Sequence, residues 1–223
     1  MKRTSLRDRV LPDYTKGEEI FNMVSHIVGG CLGFVYLILC VAQAAINHNS
    51  YGIVGGAIYG TSVIILFTIS SIYHGLKPGM AKKVFQVIDH CTIYVMIAGT
   101  YTPITLSAIR AIDPFQAWLL FGIVWGVTVI AMVFTAIDHT RFKKFSMICY
   151  IGLGWCVVAF LRITYAAVTP TGMLLLALGG VMYTIGAVLY GLGKKRRYVH
   201  SLFHIFVDVA SLLQFFCIYL YVL

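Results

Sequence analysis

The chain has 223 residues, 60% hydrophobic and only 11% charged, with a mean hydropathy of +0.87, a balance that excludes an ordinary soluble domain. Its net charge of +9 does not point to nucleic acid, because the basic residues sit between apolar stretches rather than in a patch interleaved with aromatics. The partners expected from them are anionic membrane lipids.

Residues 1–21 are polar and lack the apolar stretch of a cleaved signal peptide, so they read as a cytoplasmic N-terminal segment followed by an uncleaved anchor. Thr15 and Glu18 have the spacing of a capping box before the first helix. Breaks in charge, Pro and Gly then divide residues 22–223 into seven expected transmembrane helices: 22–46, 51–73, 84–107, 115–137, 145–165, 172–191 and 199–223. Lys77-Pro78-Gly79 marks a turn, and Asp113-Pro114 and Thr169-Pro170 each place a capping side chain before a first-turn proline. Pro103 should distort the third span by freeing the Gly99 carbonyl. Gly29 with Gly33, Gly56 with Gly60, and Gly122 with Gly126 read as small-residue helix contacts. The six cysteines fall inside apolar runs without C-x-x-C spacing and read as packing residues.

With these seven spans, 15 of the 17 Lys and Arg lie on one side, and only Arg110 and Arg162 on the other. The positive-inside rule therefore places the N-terminus in the cytoplasm and Leu223 outside. G-protein-coupled and rhodopsin-type bundles have the opposite orientation, and the last span here has no lysine to hold retinal.

Ionisable side chains are costly in lipid, about 2.5–3.5 kcal/mol for Asp, Lys or Arg at a helix centre on insertion scales, so the few present invite a functional reading. His74 ends span two, Asp89 and His90 open span three, and His200 and His204 open span seven, all at one depth. The i, i+4 spacing of His200 and His204 puts both imidazoles on one helix face, suited to grip a metal, with His74 as third nitrogen ligand. Three neutral histidines and an open fourth position are what zinc uses to activate water. Asp89 is the expected partner of that water, and Ser70, one turn deeper than His74, would orient a ligand or substrate oxygen. The alternative is that the histidines bond to carbonyls or sit among headgroups. His26, with Asn22 and Ser25, is expected to hydrogen-bond between helices. His90 points about 100° away from Asp89. Asp208 reads as a partner of the histidine face, a proton relay or a structural hydrogen bond. His48 and His139 fall in connections and need no special role.

The pattern Ser70-x-x-x-His74, Asp89 and His200-x-x-x-His204 resembles the signature of the progestin and adipoQ receptor family. The segments Asp89-His90-Cys91-Thr92-Ile93-Tyr94, Ala98-Gly99-Thr100-Tyr101-Thr102-Pro103 and Gly17-Glu18-Glu19-Ile20-Phe21-Asn22 are similar to its bacterial hemolysin III branch. The resemblance spans nearly the whole chain. It implies an all-α bundle of seven transmembrane helices in the cell membrane, zinc (Zn2+) on His74, His200 and His204, and Asp89 holding the zinc-bound water. That family sits among membrane hydrolases that include alkaline ceramidases, while the bacterial branch is named for lysis of blood cells and is associated with membrane-fluidity homeostasis. The leading expectation is a zinc-dependent hydrolase of a lipid amide or ester. A non-enzymatic membrane-state sensor with structural zinc and a cytolysin are the alternatives.

Overall fold

A computed structural model describes residues 4–193 and 196–223; Lys2, Arg3, Lys194 and Lys195, four of the basic residues counted above, lie outside them. The described residues form helices and turns without strands. We number the helices α1 (Lys16–Ile46), α2 (Ser50–Gly75), α3 (Met80–Pro103), α4 (Pro114–Asp138), α5 (Lys143–Gly154), α6 (Leu161–Leu192) and α7 (Val199–Tyr221). Six helical stretches are long and apolar enough to cross a membrane, the fifth being the 50-residue run Lys143–Leu192.

Local chemistry explains where these helices begin. The capping box ahead of α1 is formed: Thr15 Oγ1 accepts the Glu18 amide at 3.2 Å, and Glu18 Oε2 accepts the Thr15 amide at 2.8 Å. Helix α1 therefore starts six residues before the apolar stretch does, which brings Glu18 and Glu19 into its first turn. Asp113 caps α4 through the Gln116 amide at 3.1 Å, a bond that holds its carboxyl below the ordinary carboxylate range. After Pro103 the helix loosens into a π-helical stretch, Ile104–Ile109, as the missing proline N–H requires. The Thr100, Thr102 and Thr105 hydroxyls donate to carbonyls four residues back and add to the bend.

The Lys143–Leu192 run reverses on itself. A straight helix of that length would reach about 75 Å at 1.5 Å per residue, yet Trp155 Nε1 donates to Thr184 Oγ1 at 2.9 Å. The reversal is at Thr169, whose backbone leaves the helical region (φ 64°, ψ 166°) and whose hydroxyl accepts from the Gly172 amide at 3.4 Å. Beyond it, α6 packs antiparallel on α7, with Gly172, Gly179 and Gly186 leaving room for Tyr221, Gln214 and Phe203 in turn. Between α5 and α6, a 3-10 segment (Cys156–Phe160) is satisfied by the Tyr101 hydroxyl, which accepts from Val157 N and donates to the Gly154 carbonyl.

The core lies where α1, α2, α3 and α7 meet, around Tyr36, Tyr59, Phe67, Tyr94 and Ile218. Large apolar side chains such as Phe34, Ile38, Phe115 and Ile148 point outward, the arrangement expected when lipid is the solvent. The glycine contacts hold only in part. Gly33 faces Val63 and Ile64, and Gly60 faces Leu37, so α1 and α2 approach through glycine, whereas a Cβ at Gly122 or Gly126 would meet nothing within 4 Å. Those two glycines lie on a face of α4 that makes no close contact among the described residues.

Residues of the N-terminal segment meet Lys83, Asp138 and Arg197 at one end of the bundle. At the other end Asn47 Nδ2 donates to the Leu223 carbonyl at 2.7 Å, and Ser107 Oγ to that of Val222 at 2.9 Å.

Candidate metal centre

The end of the bundle that carries the N-terminal segment also carries the histidines. His74 comes from the last turn of α2, and His200 and His204 from the first two turns of α7. All three are buried, and one ligand atom from each lies within 4.8 Å of the others. The Nε2 atoms of His200 and His204 are 3.2 Å apart. Metal–nitrogen bonds of about 2.0–2.1 Å make the edge of a tetrahedron about 3.3 Å, so this pair already has the spacing of two ligands on one ion. The donor set of three neutral imidazoles fits zinc.

The second nitrogen of His74 is fixed. Its Nδ1 lies 2.7 Å from Glu19 Oε2, with Asn22 Nδ2 at the longer distance of 3.5 Å, so Nδ1–H donates to the carboxylate and Nε2 keeps the lone pair. Glu19 Oε1 accepts from Lys82 Nζ at 2.6 Å, and that lysine also donates to the carbonyls of Leu76 and His74. Neither is an expected site residue: from sequence, Glu19 counts only as part of the segment Gly17–Asn22, and Lys82 only as a basic residue of the connection after span two.

Aromatic rings close around the histidines. Tyr14 stacks on His200 with centroids 4.8 Å apart and planes 13° from parallel, and Tyr73 meets His74 edge-on at 4.6 Å. Burial pushes the Tyr14 phenol above its ordinary range, so it stays neutral beside His200. Beneath His204 lies His26, its ring stacked at 3.8 Å. Both His26 nitrogens are buried without a partner, so the interhelical hydrogen bond expected of this residue is replaced by ring stacking.

A cavity of about 150 Å³ runs from this cluster into the bundle. Ser70, Asp89, His26, His200 and His204 lie at its polar end, and Ile93, Met96, Ile97, Ile151 and Val207 form much of its apolar wall. Ser70 and Asp89 both line this cavity. The structure thus brings together all five residues singled out for the site, His74, His200, His204, Asp89 and Ser70. His90 lines the same cavity but is engaged on both sides: Nδ1–H donates to the Gln86 carbonyl at 2.7 Å, and Nε2 accepts from the Tyr190 hydroxyl at 3.0 Å. His139, expected to be exposed in a connection, is buried with its ring 3.9 Å from that of His90. The His139 side chain turns inward there, while Thr140 and Arg141 of the same link stay exposed. Asp208 sits one turn beyond His204 with Oδ1 buried and unpartnered.

Residues 14–215 match the model of the family described as Haemolysin-III related. The chain is 34% identical over 206 residues to Hemolysin-3 of Bacillus cereus, covering 92% of each protein. It is 33% identical over 208 residues to the Hemolysin-3 homolog of Bacillus subtilis (strain 168), covering 93% of this chain and 96% of the relative. It is also similar to the human monocyte to macrophage differentiation factor, at 23% identity over 172 residues, 74% of this chain and 68% of that protein. With its apolar helices and this near full-length match, the chain belongs to the haemolysin-III-related family of multi-pass membrane proteins.

Proposed function

We propose that the protein is a zinc-dependent hydrolase of a lipid amide or ester, built on a bundle that crosses the plasma membrane seven times and serving membrane lipid homeostasis. The observation that carries the reading is a cluster of three buried imidazoles, two of which line a largely apolar cavity together with the Asp89 carboxyl and the Ser70 hydroxyl.

The reversal at Thr169 supports seven crossings, since the fifth apolar stretch is more than twice the length that spans a bilayer core of about 30 Å. Lys82 and Lys83 in the first turn of α3 and Arg197 in the α6–α7 link lie at the histidine end with the N-terminal segment, which supports a cytoplasmic N-terminus and an outer C-terminus.

His74, His200 and His204 would hold the ion. Bound zinc supplies Lewis acidity toward a carbonyl oxygen and brings the pKa of water toward about 7. Asp89 takes the proton from attacking water as the new carbon–oxygen bond forms, then passes it to the amine or alcohol that leaves. The Ser70 hydroxyl, in the cavity lining, orients a ligand or substrate oxygen. The apolar wall accepts the hydrocarbon part of the substrate, which enters from the bilayer.

Elemental analysis of detergent-purified wild type and His200→Ala, prepared without chelator or added metal, tests the centre. About one zinc per wild-type chain, lost in the variant, is expected. Fatty acid release from a lipid extract, abolished by Asp89→Ala with zinc retained, tests the chemistry. Metal in the wild type without turnover of any lipid would leave the second reading, a membrane-state regulator in which zinc joins α2 to α7. The ring of Tyr14 over His200 favours that reading, since it closes the site from the N-terminal side. In that case His204→Ala abolishes the physiological phenotype and Asp89→Ala does not.

A further inference from the structure

The first turn of α1 reaches both helices that carry the histidines. Glu18 Oε1 accepts the Tyr198 amide at 2.7 Å, two residues before His200, while Glu19 Oε2 accepts Nδ1–H of His74 at 2.7 Å. The capping box with Thr15 holds the start of α1 in the register that makes both contacts. We propose that Glu19, held in place by Lys82, is a positioning residue of the metal centre that commits His74 to bind metal through Nε2; this rests on the metal reading given above.

Three features separate this contact from a chance ion pair. Both carboxylate oxygens of Glu19 are used, Oε2 by His74 and Oε1 by Lys82 at 2.6 Å, so the group is fixed in rotation. Lys82 is buried with the ends of its donors on Glu19 and on the carbonyls of Leu76 and His74, so it belongs to the fold rather than to the headgroup layer. Its charge balances that of Glu19, which therefore supports His74 without adding a net charge to the centre. The support is selective as well: the outer nitrogen of His204, Nδ1, has no partner. His74 stands alone on α2, whereas His200 and His204 share one helix and hold each other in register. The ligand that depends most on an outside brace is thus the one that has it.

Cobalt(II) titration of the full-length, detergent-purified wild type, Glu19→Gln and Glu19→Ala, with a competing chelator, tests this. Loss of such a carboxylate partner commonly costs 10–100-fold in metal affinity. A loss of roughly that size is expected for Glu19→Ala, with a shift of the cobalt ligand-field bands as the His74 ring turns. Glu19→Gln keeps an oxygen acceptor for Nδ1–H but loses the charge, and should lie between, at about a fivefold loss. Wild-type affinity and spectrum in Glu19→Ala overturn the proposal and leave the metal centre standing. Should Glu19→Ala not purify as a monodisperse protein, the isosteric Glu19→Gln decides, and wild-type affinity there overturns it equally. A wild type that takes up no cobalt overturns the metal reading and this proposal together.

Discussion

His26 on α1 lies nearly face to face with His204 on α7, ring centroids 3.8 Å apart and planes 28° from parallel. Because neither nitrogen of His26 has a partner, the residue acts as a flat ring beneath a ligand. His26→Phe should therefore retain metal. His26→Ala, which leaves a void and removes the stack, should lower stability by about 2 kcal/mol. Thermal unfolding in detergent, with metal content measured on the same samples, checks both outcomes.

Metal retention should fall on acidification. Each imidazole must be neutral to bind, and an ordinary histidine protonates near pH 6.5. Protons therefore compete below that value and not above it. Zinc content after equilibrium dialysis should be full at about pH 8 and drop as the pH passes below about 6. Retention unchanged down to pH 4 would contradict ligation by three histidines.

Removal of the metal should also lower thermal stability. An ion that binds only the folded chain stabilises it in proportion to the logarithm of its free concentration relative to Kd, about 2.7 kcal/mol at a hundredfold excess over Kd. Chelator treatment of the wild type should lower its unfolding temperature, and re-addition of zinc should restore it. His200→Ala should show neither response.

The α1–α2 contact offers a packing test. A methyl at Gly60 would lie 2.5 Å from Leu37 Cα, a backbone atom that cannot yield without moving the helix. Gly60→Ala should cost about 1–3 kcal/mol through overpacking. Gly122→Ala meets nothing within 4 Å, so it should be neutral or add up to about 1 kcal/mol from helix propensity. Unfolding temperatures of the two variants should move in opposite directions or differ clearly in size.

The reversal at Thr169 predicts that Thr171 and Lys144 face opposite sides of the membrane. In intact cells a membrane-impermeant maleimide should label Thr171→Cys above the background of the native cysteines, and should label Lys144→Cys only after permeabilisation. Labelling of both from outside would contradict the seven-crossing reading.

Some of this protein is determined by sequence alone. Apolar stretches in lipid must satisfy their own backbone groups, so hydropathy and punctuation at Thr15, Lys77-Pro78-Gly79 and Asp113-Pro114 were enough to locate the first four helices and the last, but not the 3-10 break at Cys156–Phe160 inside the expected span 145–165. The i, i+4 pair His200 and His204 was legible because one helix sets its geometry. Other contacts were decided only in the tertiary structure. Where every face of a helix is apolar, periodicity does not say which face meets which neighbour, so the open side of Gly122 and Gly126 and the stacking of His26 on His204 depend on helix rotations that the packed bundle sets. Glu19, Lys82 and Tyr14 looked like ordinary polar residues at the membrane edge. They became neighbours of the metal ligands because α1 starts at Lys16 and packs its first turn against the ends of α2 and α7, a relation between distant segments that no local pattern encodes.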